Sequence, residues 1–85
     1  MEIATYPVKF SDDITVDISA DTEEHCIIVI TNHRGRILRM MGVNVAKGKN
    51  QIHVENVNTL EAGVYQLSVK NKSSNVLYSS TLTKF

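Results

Sequence analysis

The sequence has no Trp, one Cys, one Pro and four Gly, and no apolar run approaches the ~18 residues of a membrane-spanning helix. A lone Cys excludes an intrachain disulfide and a Cys-based zinc site. Net charge is absent too, since nine Lys+Arg balance nine Asp+Glu. There is no Gly-rich phosphate loop, no G-x-S-x-G string and no paired general acid and base, so neither catalysis nor a cofactor is expected. What is present, 42% hydrophobic and 21% charged residues, is the composition of a globular domain rather than a disordered segment. A length of 85 residues makes one domain, with room for one modest core and none for a deep substrate cleft.

The balanced charge hides an asymmetry along the chain. Glu2, Asp12, Asp13, Asp17, Asp21, Glu23 and Glu24 precede all the bases but Lys9, whereas the later residues hold only Glu55 and Glu61 as acids. Arg34, Arg36, Arg39, Lys47 and Lys49 form the densest basic stretch. A nucleic-acid surface would interleave such a stretch with aromatics for stacking, and none lies between Phe10 and Tyr65. Oppositely charged solvated faces or edges are the expected outcome. The start of the chain lacks both the basic opening and the apolar stretch of a secretory leader. It therefore reads either as cytoplasmic or as a piece of a longer exported protein.

Period-2 alternation dominates, and no segment sustains a helical stripe. Ile14, Val16 and Ile18 alternate with polar residues, as in a half-buried strand. Cys26, Ile28 and Ile30 face one way and Ile27 and Val29 the other, an element apolar on both faces. Asn32-His33-Arg34-Gly35 supplies a turn, with Gly35 free to take positive φ, and a strand returns from Ile37 to Met41. Further strands are predicted around Ile52 and Val54, over Val64 to Lys70, and over Val76 to Thr83. A seventh lies near Ile3 to Val8, where Pro7 suits a strand end or an edge. Short Val-, Ile- and Thr-rich strands with turns every 8–14 residues predict an all-β, antiparallel immunoglobulin-like β-sandwich of about seven strands.

Few residues invite a chemical reading. Leu60-Glu61-Ala62-Gly63-Val64-Tyr65 has the form of a tyrosine corner, in which the phenol bonds back to loop backbone and pins the crossover. Cys26 and His25 are neighbours in a strand, so they point apart and cannot act as nucleophile and base. Cys26 is expected in the core and His53 in solvent, and His25, His33 and His53 have no metal-binding spacing. Ser11-Asp12-Asp13 offers too few oxygens for calcium and reads as the turn before a strand. Asn71-Lys72-Ser73 matches the N-glycosylation pattern, a cheap match.

Taken in order, these strings carry a resemblance. Tyr6-Pro7-Val8-Lys9-Phe10-Ser11-Asp12 precedes an alternating strand, and Asn32 stands three residues before Gly35 between two strands. Leu60, Gly63 and Tyr65 match a Leu-x-x-Gly-x-Tyr block, and the final strand ends in Lys84 beside Phe85. Over nearly its whole length the chain resembles the C-terminal sorting domains (type A family) of proteins secreted by the type IX system of Bacteroidota. Val8 and Lys9 replace the usual Asn-Pro of that family's opening motif, and the last strand has one Lys where many members have several.

The resemblance implies an address label, excised from a larger cargo protein whose own leader takes it to the periplasm. The type IX translocon would read the label and carry it through the outer membrane. A surface sortase-like peptidase would then cut it off and join the cargo to lipopolysaccharide, leaving the product secreted or at the cell surface. Leu82, Lys84 and Phe85 are the residues expected to be read, and Pro7, Gly35, Gly63 and Tyr65 those expected to hold the shape. Removal of Thr83 to Phe85 is expected to stop export and leave the fold largely intact. Two other readings follow from the residues themselves: a carbohydrate-binding or adhesion sandwich, which needs an exposed aromatic platform, and a homodimer formed through an edge strand or the Ile27–Val29 face.

Overall fold

The computed structural model describes all 85 residues, and every element in it is a strand. In chain order these are β1 (Glu2–Tyr6), β2 (Lys9–Phe10), β3 (Ile14–Ala20), β4 (Glu24–Asn32), β5 (Ile37–Val45), β6 (Gly48–Val54), β7 (Gly63–Asn71) and β8 (Val76–Lys84). They form a three-stranded sheet ordered β1-β3-β6 and a five-stranded sheet ordered β2-β8-β7-β4-β5. This is the immunoglobulin-like arrangement, with the first strand split between the two sheets. The split falls at Pro7, whose peptide bond with Tyr6 is cis.

Two expectations are corrected in detail. There are eight strands, because Lys9 and Phe10 form a pair too short to register as a period, and that pair runs parallel to β8. The sandwich is thus not wholly antiparallel. The return strand also runs to Val45 rather than stopping at Met41. Gly42 and Asn44 interrupt its hydropathy, yet Met41, Val43 and Val45 keep the inward alternation. Gly42 sits beneath the His25 ring, where a Cβ would meet the imidazole at 3.3 Å.

The core is the pair of inner faces. Ile14, Val16 and Ile18 of β3 meet Cys26, Ile28 and Ile30 of β4, Leu67 and Val69 of β7 and Leu82 of β8, all essentially without exposure. The doubly apolar β4 is explained by its central place between β5 and β7: Val29, on the outer face, is still buried by its sheet neighbours. The charge asymmetry of the sequence dissolves in the fold. The acidic β3–β4 loop (Asp21, Glu23) lies at the same end of the sandwich as Lys47 and Lys72, and Asp12, Asp13, Glu55 and Glu61 share the other end with Arg34 and Arg36.

Two hairpins, β4–β5 and β7–β8, use one turn design. In each, an Asn side-chain oxygen accepts the backbone N–H groups two and four residues on: Asn32 from Arg34 and Arg36, and Asn71 from Ser73 and Asn75. In each, the residue three positions after the Asn has positive φ, +79° at Gly35 and +66° at Ser74. In each, one residue of the returning strand, Leu38 or Leu77, is skipped by the pairing. The turn occupies the side-chain oxygen of Asn71.

Glycine adopts that conformation freely, whereas serine is strained in it. Replacing Ser74 by Gly is therefore expected to raise stability by about 0.5 kcal/mol after the extra unfolded-state freedom of glycine is deducted. Thermal unfolding should shift upward by about 2–4 °C. An unchanged or lower midpoint would show that Ser74 is not strained.

The strand directions place the two chain ends apart. Glu2 pairs with Ser19, at the end of the sandwich where β3 finishes, while Lys84 pairs with Gly63 and Phe10 at the opposite end. The longest dimension of the molecule is 36 Å.

Candidate functional site

The C-terminal end of β8 is built by three elements. On one side β7 pairs Tyr65 with Leu82 and Gly63 with Lys84. On the other, β2 and the residue before it accept two backbone bonds, from Thr83 N–H to Val8 O at 2.8 Å and from Phe85 N–H to Phe10 O at 3.1 Å. Phe10 itself is buried beside Tyr65, with ring centroids 6.4 Å apart. The opening motif thus has a physical role: Pro7 marks the change of sheet, and Phe10 anchors β2 so that it can clasp the last strand.

The crossover from β6 to β7 closes the same end. Val57 and Leu60 plug the core, and the Tyr65 hydroxyl donates to Glu61 O at 2.5 Å. The tyrosine corner is present as expected. Gly63, at φ +155°, makes the turn into β7 in a region that side chains rarely enter. The first half of the crossover is held from β5: Arg39 Nε and Nη2 donate to Asn56 O at 3.1 and 3.0 Å, and Nη2 also reaches Thr59 Oγ1 at 2.8 Å. Nothing in the sequence singled out Arg39 beyond its place in a basic stretch. The fold makes it a clamp.

The residues expected to be read divide by burial. Leu82 is 0% exposed, so its side chain secures β8 in the core and is not offered to a partner. Lys84 is half-buried, with Nζ near Phe85 O. Phe85 is 69% exposed although its N–H is bonded to β2.

The remaining candidates are not brought together. Cys26 is buried, and burial, with the Glu24 carboxylate adding, pushes its thiol above the ordinary value. His25 bonds Asn44, and His53 lies near Thr15 on the outer face of the three-stranded sheet. On that face the Tyr6 hydroxyl donates to Asp17 Oδ2 at 2.9 Å and accepts from Gln51 Nε2 at 3.1 Å; the bond to Asp17 holds the phenol above its ordinary pKa. Tyr6 and Phe85, the well-exposed aromatics, lie on different sheets and make no common platform for a saccharide.

The family described as "Secretion system C-terminal sorting domain" matches residues 4–81. The chain belongs to that family. A search of curated proteins found no match. As a C-terminal sorting signal for type IX secretion, the domain sends the protein that bears it through the outer membrane, to the cell surface or the medium. A sorting domain is recognised by the type IX machinery, with its cargo on the N-terminal side, and is not itself catalytic. The matched range takes in the sheet change at Pro7, the Asn32–Gly35 turn and the Leu60–Tyr65 corner.

Proposed function

We propose that residues 1–85 act as one C-terminal sorting domain of a larger cargo protein, and that the type IX translocon reads its tip through Lys84 and Phe85. Leu82, Pro7, Gly35, Gly63 and Tyr65 hold the tip in shape. After passage, a surface sortase-like peptidase removes the label and joins the cargo to lipopolysaccharide. The observation that carries the reading is Phe85: a large apolar side chain held 69% exposed at a position its own backbone bond fixes. An ordered, exposed aromatic beside a cation is the kind of feature a partner can grip, because little freedom remains to be lost on binding.

The test is export of residues 1–85 fused behind a fluorescent protein with a general secretory leader, in a Bacteroidota host with and without a working translocon. Surface or medium reporter is expected only with the translocon. The double variant Lys84→Ala/Phe85→Ala should cut it by about tenfold or more, with the thermal midpoint of the domain nearly unchanged. Full export of that variant would refute the tip assignment. Truncation at Thr83 is the poorer test, since it also strips both backbone bonds to β2.

A further inference from the structure

β8 is an edge over most of its length. β2 covers only Thr83 and Lys84, and between Val76 and Leu82 no strand lies on the side away from β7. Thr83 and Phe85 donate toward β2, so by the alternation of a strand Ser79 and Thr81 turn their N–H and C=O groups to the same, unpaired side. Natural edges of this kind are guarded by charges, prolines or β-bulges. From Val76 to Thr83 there is no charged residue, no Pro and no Gly. The one irregularity is the skipped Leu77 at its start; beyond it the pairing with β7 is regular from Tyr78 to Lys84, and Gln66 bonds to Ser79 and Thr81 on the outer face.

We infer that the open side of β8 between Val76 and Leu82 is a strand-addition surface for an extended segment of the machinery that reads the label, uncharged along its middle and acidic beyond both ends. The inference rests on the sorting function and adds the mode of recognition: main-chain pairing gives affinity, and charge fixes position and register. Lysines bracket the open stretch, Lys70 and Lys72 at one end and Lys9 and Lys84 at the other, and no acid occurs from Ala62 to Phe85. The acids that share these two ends lie off β8: Asp12 and Asp13 past β2 in the loop leading to the other sheet, Glu61 in the crossover before β7, and Asp21 and Glu23 in the β3–β4 loop. The same charges argue against a second copy as the occupant. Antiparallel self-pairing would set Lys72 of one copy against Lys9 and Lys84 of the other, and parallel self-pairing would set each lysine beside its own equivalent.

Three substitutions in the export fusion test this. Ser79→Pro removes an N–H that serves no internal pairing, a place where an edge strand accepts proline. Ser79→Lys keeps the N–H and adds the charge that guards natural edges. Ser79→Ala loses only the hydroxyl contact with Gln66. With circular dichroism confirming folded domains, Pro and Lys are expected to lower surface reporter by about tenfold or more, and Ala to leave it at the parental level. If Pro fails to fold, Lys against Ala decides. Folded Pro and Lys variants exported like the parent would overturn the inference and leave the sorting function standing, whereas a parental fusion trapped in the periplasm would overturn both. Sedimentation of the isolated domain completes the test: a dimer abolished by Ser79→Lys would assign the edge to a second copy and overturn the partner-strand reading.

Discussion

Leu82→Ala should cost the domain about 3 kcal/mol, the usual price of emptying a fully buried leucine site. Leu82 has no exposure and pairs with Tyr65, itself tied to the β6–β7 crossover, so the surroundings have little freedom to collapse into the space. Against a total of roughly 4–13 kcal/mol for a chain of this length, that loss is large. Urea titration should move to a lower midpoint with the slope retained. Export should fall as well, but through unfolding. Pairing this variant with Lys84→Ala/Phe85→Ala separates the two ways a tip can fail, because only the buried change should register in the titration. A Leu82→Ala domain of parental stability would mean that the last strand is not seated in the core as described.

Arg39→Ala is expected to lower stability by about 2 kcal/mol and the thermal midpoint by on the order of 10 °C. The guanidinium grips Asn56 O through two nitrogens, reaches Thr59, and donates to Leu38 O at 2.8 Å. Asn56 sits at φ +61°, so the clamp holds a strained residue at the point where the chain leaves the three-stranded sheet. Arg39→Lys should recover little, since an ammonium cannot present two donors in a fixed fork. Equal stability of Arg39→Lys and the parent would show that charge, not geometry, holds the crossover.

Much of the fold was legible because the strands alternate cleanly. Ile14 to Ile18 and Tyr65 to Val69 each place every second residue in the core, and the Leu60–Tyr65 string announced the corner it forms. β2 was not legible, since two residues carry no period and their parallel pairing depends on where β8 ends. The second half of β5 was masked by Gly42 and Asn44, whose reasons lie in the neighbouring His25 rather than in β5. For the site, Lys84 and Phe85 stand out only by their place at the tip. Leu82 lies close to them in sequence, yet its side chain turns into the core between the two sheets, where β7 and the crossover enclose it. The Arg39 clamp joins residues 17 and 20 positions away through the backbone oxygen of Asn56 and the hydroxyl of Thr59, a pairing that no periodicity encodes.

The separation of the two chain ends has a mechanical consequence. Under the proposed reading, a cargo on the N-terminal side and a partner holding Phe85 would pull from opposite poles, and tension would run lengthwise along the strands. The bonds that tie β8 to β7 and β2 then share the load in shear instead of opening one after another like a zip. A label towed by its tip is in the orientation that best resists being torn open, and the bulk behind it trails clear of the grip.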